Sequence, residues 1–288
     1  MMRASVEARH HADTGTWSYV VFDAQSRDAA IIDPVLDFEA KGARTGTASA
    51  QALLDFVAQQ GLAVRWILET HAHADHLSAA AWLQERCAGA PIGIGAGIRS
   101  VQAAFKPIYG LEAEFPVDGS QFDRLFADGE RFAIGGLEVE VIATPGHTSD
   151  SISYRIADAL FVGDSLFMPD GGTARCDFPG GDARLLFDSI RRLYELPDDT
   201  RVFVCHDYGP GGREPRAQTT IGEQKAANIH LRADTAVDEF VELRQKRDAT
   251  LALPALILPA VQVNIRGGRL PPALADGRRY LSLPLDAL

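Results

Sequence analysis

Residues 69–78 read ETHAHADHLS, which puts three histidines and one aspartate into six positions directly after the apolar run VRWIL. A stretch of this kind is a solvated polar loop, a tag remnant or half of a metal site. The H-x-H-x-D-H spacing constrains the fold because it sits where a short apolar strand stops and a helix-forming stretch, SAAAWLQERCAG, begins. In a tight turn after a strand, the alternate residues His71 and His73 can aim the same way, while Asp75 and His76 serve a second position. Any further ligand must then be delivered to the same edge by other strands, and a loop held between rigid elements is a common place for function.

The rest of the chain supplies such strands. In the first half, WSYVVFDA and AAIIDPV read as a β-hairpin across QSRD. SAQALLDFVAQQG reads as a helix with Leu53, Leu54 and Val57 on one face, Ser49 as its cap and Gly61 as its stop. The second half repeats the logic without obvious identity. RFAIGGLEVEVIATPGHTS is a hairpin through Gly135-Gly136 and then a strand that ends at His147. SISYRI and ALFVGDS form a strand pair ending at Asp164, and RVFVCHDYG is a strand ending at His206. DARLLFDSIRRLYELP is an amphipathic helix capped by Asp182, burying Leu186, Ile190, Leu193 and Tyr194. TIGEQKAANIHLR and TAVDEFVELRQKRD follow as helices, and the tail LPALILPAVQVNIRGGRLPP reads as Pro-rich and irregular. Two similar halves of alternating strands and helices predict a layered α/β fold. No linker or low-complexity stretch divides the chain, so the expectation is one domain over 1–288, with a helical and Pro-rich extension from about 215.

Composition removes several classes of partner. The formal net charge is −11 and the sequence pI about 5.2, and the nearest thing to a basic run is the pair Arg191-Arg192. Nucleic acid and anionic membrane are therefore not expected as partners. Three scattered cysteines, Cys87, Cys176 and Cys205, do not make a disulfide framework, and no apolar run reaches membrane length or resembles a leader. A cytoplasmic protein is the expectation.

The candidate ligands are thus His71, His73, Asp75, His76, His147, Asp164 and His206, each at or just past a strand end. Imidazole and carboxylate without thiolate suit zinc, iron or manganese. His10, His11 and His230 lie outside the pattern and read as ordinary surface or core residues.

Taken in order, THAHADH, TPGHTSDS, FVGDSLF and CHDY resemble the motifs of the metallo-β-lactamase superfamily over residues 70–208. The resemblance implies an αββα sandwich with the metal site at one edge of its two sheets. Within that superfamily, GDSLFMPDGGTARCDF, HDY, TIGEQKAANIHL and LPAVQVNIRGG are similar to segments of the persulfide dioxygenases, and of bacterial members also described as β-lactamase-like hydrolases. That likeness implies one Fe(II) held by His71, His147 and Asp164, a facial triad with three positions open for O2 and the persulfide sulfur. The implied reaction turns glutathione persulfide, or a related low-molecular-weight persulfide, into sulfite and free thiol. His73, Asp75, His76 and His206 become orienting groups, with Asp75 and His76 the candidate catalytic pair. Arg175, Tyr208 and Lys225 are the implied contacts to the substrate.

The chain departs from that pattern in ARCDF, where a cysteine replaces a threonine. It departs again at Lys225, which stands where the family has an arginine, and in the longer loop 209–218. A second reading uses all seven ligands for two Zn, or mixed Fe/Zn, with Asp164 bridging, as in a thioester hydrolase of the glyoxalase II type. A third is a non-catalytic metal-binding module. The polar stretch 36–48 either lines the metal edge or joins elements, and the apolar LALPALILPAVQV fits a homodimer contact or the chain's own core.

Overall fold

Neighbouring side chains along the strands part into different cores, which sets the layers of the fold. In a computed structural model describing residues 3–287, Val20 and Ile31 join one buried cluster while Val21 and Ile32 join another. Met1, Met2 and Leu288, at the ends of the expected 1–288 domain, lie outside the described residues. The first sheet has six strands in the order Ser5–His11, Thr16–Phe22, Asp28–Ile32, Ala63–Leu68, Ile92–Gly95 and Arg124–Phe126. The second also has six, in the order Arg131–Ile134, Leu137–Ala143, Ile152–Ile156, Ala159–Phe161, Arg201–Phe203 and Gln218–Thr220. There the parting recurs, with Leu160 and Val202 on the outer side and Phe161 and Phe203 between the sheets.

Among the described residues seven helices complete the layers: α1 (Ala48–Gln60), α2 (Ala80–Arg86), α3 (Ile98–Tyr109), α4 (Ala183–Leu193), α5 (Ile221–Ala227), α6 (Val237–Asp248) and α7 (Ile257–Asn264). Leu53 of α1, Leu83 of α2, Val101 of α3 and Val261 of α7 cover the outer face of the first sheet. Leu186 and Ile190 of α4, Ile221 of α5 and Phe240 of α6 cover that of the second. The expected αββα sandwich is therefore the observed fold. Each fully buried side chain on the α4 face, such as Leu186, contributes about 1.5–3 kcal/mol. Asp182 caps α4 as the sequence indicates, accepting the Leu185 N–H at 2.8 Å.

Three local readings differ from the structure. Helix α1 starts at Ala48 behind Thr47 with no side-chain cap, so Ser49 lies inside it, whereas Gly61 does end it in the left-handed conformation. The tail is not wholly irregular: Ile257–Asn264 is helical, with Pro259 in its first turn, where a missing N–H costs nothing. Its Ile257, Val261 and Val263 fill the chain's own core. The polar stretch 36–48 holds the hairpin Val35–Glu39 with Arg44–Gly46, and its first strand pairs with Leu77–Ser78, just after the histidine cluster.

Candidate metal centre

The histidine loop is held by side chains that saturate its backbone. Asp150 Oδ2 accepts the Ala72 N–H at 2.8 Å, and Asp33 Oδ1 accepts that of Thr70 at 2.7 Å. From α7, Asn264 donates to the carbonyls of His73 (2.7 Å) and His76 (2.8 Å) and accepts the Ser78 N–H (2.8 Å). These bonds answer the need of a buried turn to place every peptide group. Gly163, at φ +51°, lets the Asp164 strand end approach this loop, since a Cβ there would lie 2.7 Å from Thr70 Oγ1.

Hydrogen-bond logic fixes the tautomers of two histidines. The Arg175 carbonyl can only accept, so His147 Nδ1, 2.8 Å away, carries the proton and its Nε2 offers a lone pair. Thr70 Oγ1 spends its hydrogen on Asp33 Oδ2 at 3.0 Å and so accepts from His71 Nδ1 at 3.1 Å, which leaves His71 Nε2 unprotonated. Burial, reinforced by the other histidines, pushes His71 well below its usual pKa. Both free Nε2 atoms face Asp164 Oδ2, from 3.9 Å for His71 and 3.6 Å for His147. Two lone pairs and a carboxylate, all buried, converge with no donor between them, and His71 Nε2 and Asp164 Oδ1 have no hydrogen-bond partner. A cation fits this arrangement, and the three residues form one potential ligand group.

The other four residues form a second group of His73, Asp75, His76 and His206. Here carboxylates already attend the imidazoles. His73 Nε2 lies 3.0 Å from Asp33 Oδ1, His76 Nδ1 is 3.5 Å from Asp75 Oδ2, and His206 Nε2 is 3.2 Å from Asp75 Oδ2 and 3.4 Å from Asp164 Oδ1. Burial alone would lower His73 and His206, but Asp33 raises the first, and Asp164 with Asp75 raises the second. Burial alone would raise Asp75, yet His206 and His76 hold it well below the carboxylate range. Asp164 thus touches both groups, one oxygen to each.

A cavity of about 610 Å³ opens beside the centre and is lined by Asp75, His147, Asp164 and His206, with Phe167 and Phe178 among its apolar walls. Tyr208 is on the wall, stacked on His206 at 5.8 Å and seated against Gly15, whose added Cβ would lie 2.8 Å from the ring. The 209–218 loop is clamped there by Arg213, which bonds both Asp170 and Asp207. Arg175 also lines the cavity, but its fork is engaged by Asp177 and the Ala252 carbonyl. Lys225 sits away from the cavity lining and pairs with Asp198 at 2.7 Å, because α5 turns that face toward the 196–198 turn. Arg247 on α6, missed in the sequence, lines the cavity, is exposed, and has no carboxylate within ion-pair distance among the described residues. His76 sits behind Asp75 rather than on this wall; it lines a smaller pocket of about 200 Å³ with Leu36 and Phe38 of the 36–48 region. The roles of Asp33, Asp150 and Asn264 were also missed, although IIDP, HTSD and QVN end or interrupt apolar runs as the ligand motifs do.

The fold and this centre define a class. The family model of the Metallo-beta-lactamase superfamily matches residues 12–206, and the chain belongs to that superfamily. Within it, the chain is 53% identical over 277 residues to the beta-lactamase hydrolase-like protein of Xylella fastidiosa (strain Temecula1), covering 96% of this chain and 63% of that one. The chain therefore spans less than two thirds of the length of the first curated relatives it matches. Glyoxylase B2 of Dictyostelium discoideum is 47% identical, with 99% and 98% of the two chains covered. The mitochondrial persulfide dioxygenase ETHE1 of Bos taurus is 28% identical, with 88% and 84% covered. Among solved structures, ETHE1 from Myxococcus xanthus superposes with a TM-score of 0.73 at 31% identity, covering 92% of this chain and all of that one.

Proposed function

We propose that this metal-dependent enzyme is a persulfide dioxygenase using one Fe(II) held by His71, His147 and Asp164. The observation that carries the reading is the separation of the ligands: two tautomer-fixed imidazoles and one carboxylate converge, while His73 donates toward Asp33 in a different group. Two histidines and one carboxylate on one face, with positions left open, match non-haem iron oxygenases. Iron in that triad supplies the means to bring O2 and a thiol derivative together. The chain's own residues do the rest. Thr70 and the Arg175 carbonyl hold the two imidazoles in register. Phe167 and Phe178 shield the reacting sulfur from water, and Asp75, with His206 Nε2 3.2 Å from its Oδ2, sets the charge of the cavity wall. Glutathione persulfide, O2 and water would yield glutathione, sulfite and two protons; the outer sulfur is oxidised and takes three oxygens, and the inner sulfur leaves as the thiol.

Arg247, with the Tyr208 hydroxyl, replaces Lys225 as the proposed contact to a substrate carboxylate, and Arg175 serves as a fixed wall rather than a free clamp. The likeness to glyoxylase B2, together with Asp164 reaching both ligand groups, supports a second reading as a dinuclear thioester hydrolase. Oxygen uptake separates the two. Protein loaded anaerobically with Fe(II) and given glutathione persulfide should consume O2 with matching sulfite. Absence of uptake, with thioester cleavage by the zinc-loaded protein, would establish the hydrolase.

A further inference from the structure

Helix α6 is a polar helix whose buried side chains, Phe240, Arg244 and Asp248, recur every fourth residue. Arg244 is 1% exposed and Asp248 5%, and they pair with each other under the loop 173–176. A buried ion pair is weak evidence for stability, because the desolvation of both charges offsets their attraction. What this pair does with its remaining atoms is more informative. Arg244 Nη1 donates to the Thr173 carbonyl at 2.9 Å, and Asp248 Oδ2 accepts the Cys176 N–H at 2.9 Å. His230 Nδ1 also takes the Thr173 N–H at 2.9 Å. The segment between these two anchors contains Arg175, whose carbonyl fixes the His147 imidazole.

We propose that the Arg244–Asp248 pair is a positioning device for the metal centre: by pinning Thr173 and Cys176 it aims the Arg175 carbonyl at His147 Nδ1, and so aims Nε2 at the metal. The inference rests on a metal bound at His147 and holds whichever reaction the centre runs. It also gives the ARCDF segment a function in which the peptide backbone matters more than the cysteine side chain. Partners that orient a metal-bound histidine typically change affinity by about 10–100-fold when lost.

The test uses the full chain loaded with Zn(II), so that it does not depend on dioxygenase activity. The double variant Arg244→Met/Asp248→Leu removes the pair without stranding either charge. It should raise the Zn(II) Kd, measured by chelator competition, about tenfold or more. It should also displace the hydrogen-bonded Nδ1 proton of His147 in the histidine NMR spectrum. Arg244→Lys keeps the charge beside Asp248 but has no fork to reach Thr173 as well, and should weaken Zn(II) by about threefold. Arg201→Met, which breaks the ion pair with Asp158 at the far edge of the second sheet, should lower Tm and leave both readouts unmoved. A folded double variant with wild-type Kd and an unmoved His147 proton would overturn the proposal. If that variant does not fold, wild-type Kd and proton position in Arg244→Lys overturn it instead. Failure of O2 uptake by the iron-loaded protein would count against the dioxygenase reading and leave this result standing.

Discussion

The two ligand groups of the centre use the same residue types and differ in what stands behind them. On one side, His71 and His147 lean on a hydroxyl and a peptide carbonyl, neutral acceptors that fix a tautomer and add no charge. On the other, His73, His76 and His206 lean on Asp33 and Asp75, so the imidazoles there already have anionic company. Neutral backing leaves two free imidazole lone pairs facing Asp164 Oδ2, and a cation fits between them. Anionic backing makes a cluster that stays near balance when its imidazoles take up protons. Identical side chains can therefore serve as ligands or as proton-holding neighbours according to the shell around them.

Substitutions can break this contrast. The largest effect is expected for His147→Ala, which should remove the bound metal, read by elemental analysis, and reduce O2 uptake at least about a hundredfold. On the other side, His73→Asn should keep one metal per chain and lose about tenfold in kcat, whereas loss of a second metal equivalent would move His73 into the ligand set. Asn264→Ala strands two buried carbonyls and one N–H of the histidine loop. It should cost roughly 2–4 kcal/mol, seen as a lower denaturant midpoint at unchanged m-value. Arg247→Ala should raise KM for glutathione persulfide about fivefold with kcat held, while Lys225→Ala leaves both unchanged; the reverse pattern would restore Lys225 to the site.

The smallest effect concerns acid stability away from the ligands. Burial, with Arg244 and Arg247 nearby, holds His230 at about 4, below its ordinary 6.5. Between those values the unfolded chain binds the proton and the folded chain does not. Stability from this residue is therefore complete above pH 6.5 and is lost as pH falls toward 4. His230→Asn, which keeps an acceptor for Thr173, should flatten the decline of Tm across that window; an unchanged slope would show that His230 does not set it.

Much of this was legible in the sequence because strands advertise themselves twice, by apolar runs and by what ends them. ILETHAH, TPGHT, FVGDS and VFVCHDY each close a strand with a candidate ligand, and the structure brings all seven candidates to one edge. Less legible were the residues that work through space. Asn264 lies 188 residues from His76, and although it interrupts an apolar tail, nothing in the sequence says which loop it bonds. Lys225 illustrates the converse: a motif match gave its place along the chain, but the facing of a seven-residue helix toward Asp198 was decided by packing. Arg247 was hidden among the charges of α6, where only the fold shows which arginine borders the cavity.

The measurement that bears most directly on the central claim is anomalous diffraction at the iron edge from crystals of the Fe(II)-loaded chain. One peak between His71 Nε2, His147 Nε2 and Asp164, with His73 still bonded to Asp33, is the predicted result. Two peaks bridged by Asp164, with His73 turned onto the first metal, would contradict the mononuclear account.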